Sequence, residues 1–387
     1  MLAHFPLEPG AVYLNHGTVG VTPLAVMRAR SAILDEIERH PARFMIRELM
    51  TLGMSAPPEE PRLRRAAERV GAFLGVAGDG VAFVDNATSA INAVLRSIAL
   101  AAGDEILVHD HAYGGVVRAI AFHARERGAT MTRFALPFPA RAPEEFVAAL
   151  ERAITPRTRL ALLDHVGSET ALVMPLAAMA AACRSRGVAV LVDGAHAPGA
   201  IDLRIEALGV DWYAANLHKW AFAPRGCGVL WAAPHRRDAL HPAVISWGIT
   251  HADWLQEFDW TGTRDPTPWL CAPAAIDFLE NELGAEAMRA HNHALAWRGA
   301  VRLAARWQRP WHAPESMVGC MAAVPLPRRL DGADAQRVRD ALWFEHGIEV
   351  AVLARDGALS ARVSAQVYND DDDLERLGAA VDALARR

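Results

Sequence analysis

Lysine is almost missing from this chain: of 40 basic residues, Lys219 alone is a lysine. Arginine therefore fills nearly every surface role that needs a cation. It cannot condense with an aldehyde, because the guanidinium stays protonated, whereas a lysine amine loses its proton once burial lowers its pKa. A GC-rich genome that replaces lysine wholesale, leaving one behind by accident, is the competing explanation, and the neighbouring residues must decide. Cysteine is scarce too. Cys183, Cys227, Cys271 and Cys320 are widely separated and form no CxxC pair, which argues against a zinc site and a disulfide framework and for a reducing, cytoplasmic setting. No uninterrupted apolar stretch is long enough to span a bilayer, and Met1-Leu2-Ala3-His4-Phe5-Pro6 lacks the basic and apolar regions of a secretory signal. No membrane partner is expected. A net charge of −5 supplies no general attraction for nucleic acid.

What remains is a globular composition, 52% apolar and 22% charged, in 387 residues, enough for two domains. Pro23 behind a capping Thr22 predicts a helix running to about Arg39. Between residues 80 and 235, short apolar runs alternate with helical periods. The runs are Val81-Ala82-Phe83-Val84, Ile106-Leu107-Val108, Leu160-Ala161-Leu162-Leu163 and Val188-Ala189-Val190-Leu191-Val192, with a further strand over 211–217. Helices over 116–127 and 176–186 end at Gly128 and Gly187, as C-terminal caps should. Apolar strands alternating with helices predict an α/β fold with a parallel sheet covered on both faces, whose ligands bind outside the carboxyl ends of the strands. After about residue 270 the rhythm changes. A long helical region (274–307), a strand (321–324), a helix (334–346), two β-rich stretches and a last helix read as a smaller α+β domain. The run Asp370-Asp371-Asp372-Asp373 suits the positive end of that last helix better than a metal.

The strand ends carry the chemistry. Asp85-Asn86-Ala87-Thr88-Ser89 opens a helix after the first run, where backbone N–H groups and hydroxyls can take a phosphate. Caps alone would explain the same residues. Neither the P-loop signature nor the GxGxxG fingerprint is present. Asp193-Gly194-Ala195-His196 follows the 188–192 run, placing a carboxylate where it could hold a protonated pyridine nitrogen. His109-Asp110-His111-Ala112-Tyr113 offers a flat ring or a proton carrier, and His218-Lys219 ends the 211–217 strand. The histidines match no zinc spacing, and no metal is expected.

Together with Tyr13-Leu14-Asn15-His16-Gly17, Asn216-Leu217-His218-Lys219-Trp220, Trp260-Thr261-Gly262-Thr263-Arg264-Asp265 and Arg362-Val363-Ser364-Ala365-Gln366-Val367-Tyr368-Asn369, these segments resemble the class V, fold-type I pyridoxal-phosphate enzymes, in their isopenicillin N epimerase-like branch. The resemblance implies a large domain (21–272) with a mainly parallel seven-stranded sheet, a small C-terminal domain (273–387), and an N-terminal segment (1–20) near the active site. It implies pyridoxal 5′-phosphate bound to Lys219, which later moves the Cα proton. Asp193 would pair with the ring nitrogen and His196 would stand near the phenolic oxygen. Asn86, Ala87, Thr88, Asn216 and His218 would serve the cofactor, and Thr263 would complete the phosphate site of the partner in a homodimer. His111 or Tyr113 would stack on the ring or relay a proton. Arg362, with Asn15 and His16, would bind the substrate, the arginine fork taking its α-carboxylate.

Such a site serves several reactions. Epimerisation and C–S (β-elimination) lysis are favoured, with transamination as the alternative. A cysteine desulfurase is not expected, since Cys320 sits within an apolar strand. A regulatory pyridoxal-binding module is also disfavoured, because no DNA-reading segment precedes residue 10.

Overall fold

The computed structural model describes residues 1–50, 60–250 and 253–387. After a short β1 (Val12–Tyr13) come β2 (Val81–Val84), β3 (Glu105–His109), β4 (Thr130–Phe134), β5 (Thr158–Asp164), β6 (Ala189–Asp193), β7 (Trp212–Asn216) and β8 (Gly228–Ala232). The last seven form one sheet in the order β2-β8-β7-β6-β5-β3-β4. Only β8 runs against its neighbours, β2 and β7; the remaining adjacent pairs are parallel. The α/β fold with a mainly parallel sheet is therefore as expected. Strands β2, β3, β6 and β7 are buried along their whole length, because helices cover both faces. Each buried Val, Leu or Ile contributes about 1.5–3 kcal/mol, so the strand ends that carry polar side chains are firmly anchored. β4 lies at the sheet edge and buries only Phe134, which is why it has no apolar run.

Gly128 and Gly187 do end helices in the left-handed region, at φ +65° and +70°. The Thr22 cap is not found. The helix is Leu24–Arg39, and Pro23, extended at ψ 151°, is itself the N-cap, its carbonyl accepting from the Met27 N–H. The helical region beyond 270 is interrupted: Ala272–Asp277 widens into a π-helical turn, Phe278–Leu283, and a new helix, Ala285–Arg306, begins after Gly284.

A second sheet, ordered β11-β12-β9, joins β9 (Met321–Pro325), β11 (Ala351–Arg355) and β12 (Ala358–Ser364) in antiparallel fashion. It packs with the helices Ala285–Arg306 and Ala335–His346. β10 (Ile348–Glu349) pairs in parallel with β1, and Val12 and Leu14 enter the core of this C-terminal unit. The core around the large sheet takes in Ala272, Ile276, Leu279 and Met288, so packing on that sheet continues past residue 272. Asp370 caps the final helix, Asp371–Ala385, by accepting from the Asp372 and Asp373 amides. Among the described residues no helix is long and apolar enough to cross a membrane.

Candidate active site

The carboxyl ends of β5, β6 and β7 and the helix after β2 open onto a cavity of about 150 Å³, into which Lys219 projects. Thr88, Asp193, His196, Asn216 and His218 line it, together with Thr18, Asp164 and Ser168. The local backbone explains the convergence. A Cβ on Gly194 would lie 2.1 Å from the Tyr213 ring, so only glycine lets the chain turn there beneath Asp193. At Gly20, φ is +70° and a Cβ would lie 2.0 Å from the His218 carbonyl oxygen, so the N-terminal segment passes hard against the lysine's own strand end.

Burial and the nearby Arg362 guanidinium bring the Lys219 amine down to about 7, against the opposing pull of Asp193 and Asp164. Its Nζ lies 3.1 Å from His196 Nε2. The Trp220 indole N–H points at His196 Nδ1 at 3.5 Å, so Nδ1 is the accepting nitrogen and Nε2 carries the proton. Burial, with the neighbouring Lys219, Arg362 and His218, holds His196 neutral. A neutral Nε2–H donates to the lone pair of a neutral amine. Asp193 is buried, and its Oδ1 accepts the Ala195 amide at 3.0 Å. Burial and Asp164 raise its carboxyl to about 7.

On the helix Ala87–Ser97 two first-turn amides are already engaged. Asn86 Oδ1 accepts from the Ser89 N–H at 2.9 Å, and Asn216 Oδ1 accepts from the Ala87 N–H at 2.8 Å. Asn86 is therefore a cap and does not line the cavity, while Asn216 positions the helix end. Ala87 borders the cavity, but its amide is not free for a phosphate. The Thr88 amide has no hydrogen-bond partner among the described residues, and His218 donates from Nδ1 to the Cys227 carbonyl at 3.1 Å, so its Nε2 can donate only when the ring is protonated.

His111 and Tyr113 separate cleanly. His111 is fully buried, edge-on to Phe138 and Phe146, and burial with Arg355 and His109 nearby lowers it to about 3. It lies outside the cavity lining, whereas Tyr113, 49% exposed, borders it. Two substrate-side expectations change. His16 is fully buried with both nitrogens used: Nε2 donates to the Lys219 carbonyl at 3.0 Å and Nδ1 accepts from the Tyr368 hydroxyl at 2.8 Å. It holds the lysine backbone and does not face a substrate. Asn15 donates to Glu349 at 2.7 Å and accepts from the Thr18 hydroxyl, so it acts behind Thr18. Arg362, buried on β12, donates to that hydroxyl at 2.8 Å and to the Ser168 carbonyl at 2.6 Å. Its Nε is buried without a partner among the described residues. Thr263 is exposed and lies away from its own chain's cavity.

Residues 45–377 match the aminotransferase class-V family. The chain belongs to that family. It is 34% identical to an isopenicillin N epimerase of Streptomyces clavuligerus, covering 98% of this chain and 96% of that protein. It is 32% identical to a putative L-cysteine desulfhydrase of Oryza sativa subsp. japonica, over 97% of this chain and 84% of that one. Among solved structures, a cystine C–S lyase superposes with a TM-score of 0.80 at 23% identity, covering 97% of this chain and 98% of that one, a likeness of fold. The family member is thus a class V enzyme of the isopenicillin N epimerase-like branch, with pyridoxal 5′-phosphate as cofactor. The site fits that group: an amine with a depressed pKa, a buried acid and an unengaged helix-end amide meet at one cavity, and Arg362, just behind its lining, hydrogen-bonds to the Thr18 and Ser168 that border it.

Asp164, Thr18 and Ser168 had not been anticipated. Asp164 was within reach of the same strand-end argument that found Asp193, since it directly follows the run 160–163.

Proposed function

We propose that the enzyme removes the Cα proton of an amino acid and that its outcome is epimerisation, with C–S β-elimination as the second reading. The observation that carries this is the Lys219 amine, brought to about 7 in a cavity it shares with the Tyr113 hydroxyl. Pyridoxal phosphate, when bound, supplies an aldehyde that engages amines and a protonated ring that draws the electron pair from Cα. Lys219 takes the Cα proton. Asp193 would keep a proton on the ring nitrogen, His196 Nε2–H would donate to the phenolic oxygen, and the unengaged Thr88 amide would hold the phosphate, joined by His218 once the anion has brought a proton to its Nε2. Arg362 grips the α-carboxylate and so selects which Cα bond is cleaved. Tyr113, which borders the same cavity, would return a proton to Cα from the face opposite Lys219, which would invert that centre. The same hydroxyl could protonate a β-leaving group, and the desulfhydrase relative supports keeping that reading.

Sulfur transfer to an enzyme cysteine does not suit the described residues. All four thiols are buried, and Cys320 donates to the Ala200 carbonyl, its thiol pushed up by burial to about 12. Thr263, exposed on its own subunit, suits a homodimer in which it completes the partner's phosphate site. The test incubates loaded enzyme with L- and D-amino acids and S-substituted cysteines in heavy water. Solvent deuterium at Cα with inversion is expected. Pyruvate and ammonia would favour the lyase, and accumulation of the pyridoxamine form would replace both readings with a transaminase.

A further inference from the structure

A second buried acid stands beside Asp193 with no part in the chemistry above. Asp164 ends β5 as Asp193 ends β6, and the two are direct partners in the parallel register. Side chains of paired residues leave a sheet on the same face, and both carboxyls line the cavity. Asp164 is 2% exposed, and its Oδ1 has no hydrogen-bond partner among the described residues. Two adjacent carboxylates in a buried site resist being ionised together.

His109, on β3, sits against the other side of Asp164. Its Nε2 accepts the Asp164 backbone N–H at 3.1 Å and lies 3.3 Å from Asp164 Oδ1. A ring nitrogen that accepts an amide carries no proton of its own, so His109 Nε2 offers Asp164 Oδ1 neither a donor nor a positive charge. The other titratable groups around the pair are Lys219, His196, His218, Arg362 and Glu169, with His165 and Tyr213 hydrogen-bonded to each other at 2.7 Å. Neither Asp164 nor Asp193 forms an ion pair with an arginine or lysine among the described residues, so neither charge is neutralised by direct contact with one.

We propose that Asp164 and Asp193 form a carboxylate pair that holds one proton between them in the cofactor-free protein and passes it to the ring nitrogen as the cofactor docks. Asp164 is then a positioning residue acting through Asp193, and the proposal rests on the reading of Asp193 as the ring-nitrogen partner. The step moves one proton from a carboxyl oxygen to a ring nitrogen; no bond to carbon changes and nothing is oxidised. The effect of Asp164 on the Asp193 carboxyl, which it helps to raise, agrees with the pairing.

Infrared difference spectroscopy tests it on the wild-type protein. The expected result is a protonated-carboxyl band in the cofactor-free protein near pH 6.5 that is lost on loading with pyridoxal phosphate. In Asp164→Asn, the pH at which that band titrates should fall by about one unit, and the pH midpoint of the visible absorption of the loaded protein should fall in the same direction. A wild-type difference spectrum without the band overturns the proposal, and that measurement requires no variant to fold. A variant with both midpoints unmoved overturns it as well. Failure of the underlying reading looks different: the wild type would take up no cofactor, or Lys219→Ala would retain the visible band.

Discussion

The two walls of the cavity are built on opposite electrostatic terms. The wall carried by the large sheet presents groups whose charge can change, with Lys219 lowered and Asp193 raised until both stand near 7. The opposite wall is bordered by Thr18 and Ser168, and directly behind them β12 holds Arg362, which burial lowers only to about 10. That cation is braced by Thr18, itself tied through Asn15 to Glu349. Proton movement therefore belongs to the sheet and grip on the substrate to the C-terminal unit. Desolvation tunes an amine or a carboxylate across neutrality, while a guanidinium starts too high to follow. An arginine-rich chain that kept one lysine kept it on the wall where charge must change.

Breaking the sheet wall should have the largest effect. Lys219→Ala is expected to abolish the visible band of the loaded protein and to reduce turnover at least about 1,000-fold, measured by absorbance and by Cα-deuterium exchange. A normal band in that variant would remove the basis of the whole scheme. Next comes the gripping wall. Arg362→Lys preserves the charge but loses the planar fork, so kcat/KM should fall about 100-fold while the cofactor spectrum is unchanged. A spectral change there would mean that the two walls are not separable.

The smallest effect concerns the dry packing behind the sheet wall. His16, His111 and His165 are buried and neutral, held down by burial to about 3, 3 and 4. In the unfolded chain each binds a proton near its ordinary value, so the unfolded state gains protons first as pH falls. Their contribution is fully present above about pH 6.5 and declines below it, by about 1 kcal/mol per histidine at pH 6. Urea midpoints measured from pH 7.5 to pH 5 should drop accordingly. A flat profile over that range would count against neutral burial of these rings.

Much of this could be read from residue order because a parallel sheet converts order into place. An apolar run buried on both faces must end at the ligand edge, and Asp193 and Lys219 follow from that rule. The rule says nothing about which way a side chain points on the turn beyond the strand. His111 and Tyr113, two positions apart, go to opposite fates: one faces Phe138 and Phe146, the other borders the cavity. Long-range partners were equally hidden. His16 is taken up by Tyr368, 352 positions away, and no local pattern announces that pairing. β4 escaped notice for a simpler reason, since an edge strand with one buried residue has no need of an apolar run.

The parallel pairing of β1 with β10, and the bridge from Asn15 to Ser364, have a consequence for the order of assembly. Thr18 and its neighbours are synthesised early and can meet the Lys219 turn through His16 and Gly20, but their strand pairing and the Arg362 contact must wait until β10 and β12 have left the ribosome. The substrate clamp is therefore among the last parts of the molecule to be completed. A nascent chain can finish its large sheet, and with it the lysine, well before it can hold an amino acid in a fixed orientation.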